Sequence, residues 1–139
     1  LDIEIMNRAC EILISNTDFT SFSRLHSDNK TSLCSVSEAI WEQTESTLVF
    51  TIRADRFLRN MVRAIVGTMI RTGSGKMSLR EFGEITEAKD RGRAGQSAPA
   101  RGLFLADIEY PSGIFITNPD RSRSPTNVLP GQTAFQALL

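Results

Sequence analysis

Cysteine, histidine and any excess of one charge sign are all scarce in this chain of 139 residues. Cys10 and Cys34 stand 24 positions apart with a single histidine, His26, between them. Zinc sites need clustered Cys/His pairs and cystine scaffolds are far denser, so neither a structural metal nor a disulfide framework organises this fold. The expectation is two reduced thiols in a cytoplasmic protein, with no metal. Sixteen Lys+Arg balance sixteen Asp+Glu to a formal net charge of zero, which excludes a simple polybasic arm or acidic tail. The central apolar stretch, Ala64 to Ile70, runs for seven residues with Gly67 inside it, against the ~20 a membrane span requires. No signal peptide is legible in Leu1-Asp2-Ile3-Glu4, which lacks a basic start and an apolar core. Beginning with Leu rather than Met, the chain is expected to be a cut piece of something larger. Aromatics are few as well, at eight Phe, one Tyr and one Trp, most on inward phases. That argues against a sheet that stacks bases on exposed rings.

What is present is a globular composition, 40% apolar and 23% charged, of the size of one ordinary domain. The neutral total hides an uneven distribution. Residues 51–101 hold eleven basic side chains against five acidic ones, whereas residues 1–50 hold three against eight. A local excess of this kind is what a polyanion-binding face needs, since field strength depends on local charge. A solvated face of ion pairs accounts for it equally well.

Periodicity predicts a helix over Leu1 to Ile14, with Ile5, Ala9, Ile12 and Leu13 inward, and a structured loop over Phe19 to Leu33. Cys34 to Glu42 alternates imperfectly, placing Val36, Glu38, Ile40 and Glu42 on one phase. Leu48, Phe50, Ile52 and Ala54 alternate strictly, and the turn Thr44-Glu45-Ser46 makes the two a hairpin. Phe57 to Arg71 carries a broad helical stripe of Phe57, Leu58, Met61, Val62, Ile65, Val66, Met69 and Ile70, stopped by Gly73-Ser74-Gly75. Ser78 with Glu81 forms a capping box for a further helix that turns Leu79, Phe82 and Ile85 inward. Lys89 to Arg101 reads as a loop and Gly102 to Tyr110 as a final strand. The domain is expected to cover residues 1–110. An irregular tail covers residues 111–139, mobile over 117–133. The order helix, strand, strand, helix, helix, strand gives an α+β fold, a mainly antiparallel sheet with helices packed on one face.

On the polar side of the central helix, the spacing puts Arg56, Arg59 and Arg63 on roughly one face, with Asn60, Ala64, Gly67 and Arg71. Gly67 marks a close approach, most simply of a strand. Arginine suits phosphate recognition and also the holding of a carboxylate in its charged form.

Phe57-Leu58-Arg59-Asn60-Met61-Val62-Arg63-Ala64-Ile65-Val66-Gly67, followed by Gly73-Ser74-Gly75-Lys76, resembles the tRNA pseudouridine synthase A family. So do Ala88-Lys89-Asp90-Arg91, Ala94-Gly95-Gln96-Ser97-Ala98-Pro99, Gly102-Leu103-Phe104-Leu105 and, in the first loop, Asp18-Phe19-Thr20-Ser21-Phe22. The resemblance is to the C-terminal half of the family. It implies half of a pseudouridine synthase fold in an enzyme that isomerises uridine to pseudouridine in the anticodon stem-loop of tRNA. Such an enzyme detaches uracil from C1′ of the ribose, turns it and rejoins it through C5. It implies no cofactor and no metal, a homodimer, and tRNA as partner in a basic cleft. The essential aspartate lies in the family's N-terminal half, in a stretch like Arg-Thr-Asp-Ala-Gly that this chain lacks, so the chain alone is expected to be inactive. Asp55, Asp90 and Asp107 match no catalytic position. By the same resemblance Arg63 pairs with the absent aspartate, Leu103 packs in the uracil pocket and Phe104 stands at a position usually aromatic. Arg56, Arg59, Lys76 and Arg91 would meet RNA. His26 is read as an exposed loop residue rather than a base. A non-catalytic RNA-binding or dimerisation module is the competing reading, decided by whether a half carrying the aspartate precedes Leu1.

Overall fold

The computed structural model describes residues 1–24, 31–108 and 133–139, and the side chains of 104–108 lie outside that description. The order is α1 (Ile3–Ser15), β1 (Val36–Gln43), β2 (Leu48–Ala54), α2 (Met61–Gly73), α3 (Leu79–Ala88), β3 (Leu103–Ile108) and β4 (Thr133–Leu138). The four strands form one sheet in the order β1-β2-β4-β3, every neighbouring pair antiparallel. This is the expected α+β class. No helix among the described residues is long and apolar enough to cross a membrane.

The last strand departs from the sequence reading. The segment read as an irregular tail supplies β4, which enters between β2 and β3, pairing Phe50 with Ala137 on one side and Leu103 with Ala137 on the other. Thr133 to Leu138 is short and follows a Pro/Gly-rich stretch, so no period announces it. Residues 109–132, which include most of the expected tail and the end of the expected strand at Tyr110, lie outside the described residues, as does His26.

α1 starts where the Asp2 carboxylate accepts the Ile5 N–H at 3.1 Å, an N-cap that satisfies one free donor. It buries Met6, Ala9, Cys10 and Leu13, so the stripe is centred on Met6 and Cys10 with Ile5 and Ile12 at its margins. The Asn7 side-chain amide takes both the N–H and the carbonyl of Trp41 on edge strand β1, at 2.7 and 3.0 Å. It thereby occupies groups that a further strand would otherwise pair.

In β1 the expected phase fails because the register shifts between Val36 and Glu38. One extra residue there turns Ala39 and Trp41 inward and leaves Ile40 36% exposed. Trp41 stacks on Phe50 at 4.9 Å between centroids, and its indole N–H reaches the Met69 sulfur on α2 at 3.1 Å. The sheet's inner face and the helices thus share one core, to which Phe19, Phe22 and Phe82 add a second aromatic group. The Asp18-to-Phe22 motif builds this part. Phe19, Ser21 and Phe22 are buried, Asp18 takes the N–H and hydroxyl of Thr20, and the Ser21 hydroxyl donates to Ile85 O at 2.6 Å.

α2 begins four residues later than its apolar stripe suggests. Asn60 adopts the left-handed conformation at φ 68°, within a turn that the Met61 N–H closes on the Leu58 carbonyl at 3.1 Å. Asparagine tolerates that geometry better than most residues. Nearly the whole of α2 is buried, including Ala64 and Gly67 on the side expected to be polar. What covers that side is the loop over 94–98, not a strand. Ala98 N–H bonds Arg63 O at 2.9 Å, Gly95 N–H bonds the Thr68 hydroxyl at 2.9 Å, and a Cβ at Gly67 would overlap the Gln96 carbonyl oxygen. α3 opens on the expected capping box, in which Ser78 and Glu81 exchange backbone and side-chain bonds.

Candidate active site

Arg63 stands in the first turn of α2, where the 94–98 loop crosses the helix. Its Nε donates to Ala98 O at 2.8 Å while the Ala98 N–H bonds back to Arg63 O. This reciprocal pair fixes the guanidinium through its inner edge and leaves the two terminal amino groups as the free face of a planar fork. Two cavities meet at this point, a larger one of about 590 Å³ and a smaller one of about 240 Å³. Arg63, Val62 and Leu103 line both, so they form the ridge between them. Leu103 arrives there as the first residue of β3, held by its register opposite Ala137.

The larger cavity is lined by apolar and basic residues together. Phe57 and Phe135, packed edge to face at 4.9 Å, join Leu103 in its lining. Arg24, Arg59 and Arg63 are among its lining residues, and among the described residues no carboxylate lines it. Beyond that ridge the smaller cavity is lined by Val66 of α2, by Ala98, Pro99, Arg101 and Gly102, and by Ala137, Leu138 and Leu139 at the chain end.

The structure distributes the residues selected from sequence unequally. Arg63, Leu103 and Arg59 come together. Arg56 and Arg59 do not share a face of α2 with Arg63, because both precede the helix; Arg59 still reaches the larger cavity, while Arg56 lies close enough to Cys34 to act on its thiol. Lys76 follows the C-terminal end of α2, and that end lies roughly 15 Å along the axis from Arg63 at ~1.5 Å per residue. Arg91 turns inward, donating to Gly95 O at 3.1 Å and to the Ser97 hydroxyl at 2.9 Å, so it supports the loop over α2. Of Phe104 only the strand position, opposite Gln136, is described. Arg24, Phe57 and Phe135 are cavity residues that carried no signal as site residues. Arg24 is brought in when its N–H bonds the Arg59 carbonyl at 3.1 Å.

Other titratable groups are taken up elsewhere. Asp55 accepts the Ser35 N–H and Asp90 accepts the Gly92 N–H, both local backbone roles; the Asp107 side chain lies outside the described residues. Cys10 and Cys34 are free and buried. Burial, reinforced by Glu11, pushes the Cys10 thiol up to about 12. Burial pushes Cys34 up to about 11, against the pull of Arg56. Both are protonated at neutral pH and unsuited to nucleophilic work. Among the described residues no group of three or more His, Cys, Asp or Glu side chains is placed to hold a metal ion.

Comparison with known proteins bears on what this geometry serves. The family model described as tRNA pseudouridine synthase matches residues 9–111. A protein named tRNA pseudouridine synthase A from Parabacteroides distasonis is 54% identical over 115 residues, covering 83% of this chain and 46% of the relative. Its namesake from Bacteroides thetaiotaomicron is 54% identical over 118 residues, and that from Acetivibrio thermocellus 40% over 110. The chain therefore spans a little under half the length of the curated relatives it matches. The matched region contains the whole α2 and 94–98 loop assembly together with Leu103, and the chain belongs to the tRNA pseudouridine synthase family.

Proposed function

We propose that this chain is the C-terminal part of a tRNA pseudouridine synthase that isomerises uridine to pseudouridine in the anticodon stem-loop, as a cytoplasmic homodimer. The observation that carries the reading is the larger cavity, in whose lining three arginines join apolar residues and where, among the described residues, no carboxylate is found. The reaction breaks the bond from uracil N1 to ribose C1′ and forms one from C5 to the same carbon. N1 ends with a proton and C5 loses one, so there is no net oxidation. Assisting it takes a carboxylate, either as nucleophile at C1′ or as base at C2′. The remainder of the protein supplies that aspartate, and this chain supplies its surroundings.

Arg63 is suited to the task because its Nε is already engaged by Ala98 O. The terminal amino groups can then meet an incoming carboxylate without first being ordered, and the pair keeps the carboxylate ionised. Leu103, which lines the larger cavity with Arg63, is suited to give the uracil ring an apolar surface, and Arg24 and Arg59 in the same lining are suited to meet the phosphates of an RNA strand. Without the aspartate the chain alone does not turn over.

Arg63→Ala in the complete protein tests the assignment. Turnover falls by at least about a hundredfold, as for loss of an ionic partner at a reacting centre, while tRNA affinity changes by less than about threefold. Wild-type turnover in that variant contradicts the role given to Arg63. Tight tRNA binding by a complete protein that makes no pseudouridine favours a non-catalytic RNA-binding module instead.

A further inference from the structure

The network that straps the 94–98 loop to α2 contains one hydroxyl whose bonding is determined on all sides but one. Ser97 Oγ accepts a hydrogen bond from Asn60 Nδ2 at 2.7 Å and another from a terminal nitrogen of Arg91 at 2.9 Å. A serine hydroxyl has two acceptor lone pairs and one proton. Both lone pairs are filled by groups that are themselves fixed. Asn60 heads α2 in its left-handed conformation, and the other terminal nitrogen of Arg91 holds Gly95 O at 3.1 Å. The proton therefore points away from both donors. Ser97 is half-buried and lines the larger cavity beside Asn60 and Arg63. A hydroxyl that accepts from a guanidinium is polarised and becomes a better donor through its own O–H.

We propose that Ser97 is a substrate-contacting donor, its O–H oriented by Asn60 and Arg91 toward an oxygen acceptor of the nucleotide in the larger cavity. Asn60 and Arg91 are its positioning residues. The proposal rests on the reading of that cavity as a nucleotide site. A carbonyl oxygen of the base and a non-bridging oxygen of the adjoining phosphate share the required chemistry, and the experiment separates them.

The test uses the complete protein that carries this chain, acting on unmodified tRNA transcripts. Ser97→Ala is expected to lower kcat/KM by about tenfold, as for one lost hydrogen bond, with Ser97→Thr within about threefold of wild type. Ser97→Cys keeps the side-chain volume but donates weakly, and carries the same expectation as Ser97→Ala if that variant does not fold. Transcripts with 2-thiouridine, 4-thiouridine or a phosphorothioate at the target identify the acceptor. The sulfur substitution that slows wild type and adds nothing to the loss in Ser97→Ala marks the oxygen that Ser97 meets. Equal sulfur penalties in wild type and Ser97→Ala show a purely structural serine and overturn the proposal, as does a Ser97→Ala protein of wild-type kcat/KM. An inactive wild-type protein overturns the functional reading and this proposal with it.

Discussion

At Gly67 the absence of one methyl group lets a loop lie directly on a helix. On an exposed helix face Gly→Ala would stabilise by about 1 kcal/mol. Here the added carbon overlaps the Gln96 carbonyl, which belongs to backbone that is bonded on both sides to Arg63 and Thr68. Gly67→Ala is therefore expected to destabilise by about 2 kcal/mol, read as a lower denaturation midpoint at unchanged slope. A gain in stability would mean that the loop does not sit on α2. Asp18 gives a second residue-level expectation. Burial opposes its charge, but two bonds from Thr20 and the nearby Lys89 ammonium outweigh burial and hold its carboxyl below the ordinary value of 3.8. A depressed pKa contributes stability that is fully present above the unfolded value and lost as pH falls through the folded one. Unfolding free energy measured from pH 6 downward should accordingly decline more steeply below about pH 4 in wild type than in Asp18→Asn. Parallel acid limbs for the two proteins would contradict this.

Elements were legible in the sequence to the extent that their signals are local. The Ser78 and Glu81 capping box is two side chains acting within one turn, and α3 begins where they place it. The strict alternation of Leu48 to Ala54 survives intact in β2. The failures come from tertiary decisions. The extra residue between Val36 and Glu38 reverses the inward phase of β1, and Phe57 and Leu58 extend the helical stripe although Asn60 starts the helix after them. β4 was hidden because six residues supply too short a pattern, and because its partners, β2 and β3, lie far away in sequence. Its central place makes it testable. Ala137→Pro removes an N–H from a strand bonded on both sides and should destabilise by about 3 kcal/mol in thermal or denaturant unfolding. An unchanged midpoint would return this segment to an irregular tail. The same contrast runs through the candidate site. Arg63 and Leu103 were legible through the motifs that carry them, whereas Arg24 stands in an acidic stretch and enters the cavity only through a backbone bond to Arg59.

At the scale of the whole molecule, the neutral total charge conceals a division of labour. α2 is enclosed by the sheet on one side and the 94–98 loop on the other, which frees the junction at Arg63 and Leu103 to face two cavities. The larger cavity brings Arg24, Arg59 and Arg63 together with Phe57, Leu103 and Phe135, and among the described residues no carboxylate lines it. The chain spans a little under half of its relatives' length. The most direct test is pseudouridine formation on an unmodified tRNA transcript, measured side by side for this chain alone and for the complete protein that contains it. The account predicts pseudouridine from the complete protein and none from the chain alone. Pseudouridine from the chain alone would mean that a carboxylate within these 139 residues performs the chemistry, and the half-site described here would be wrong.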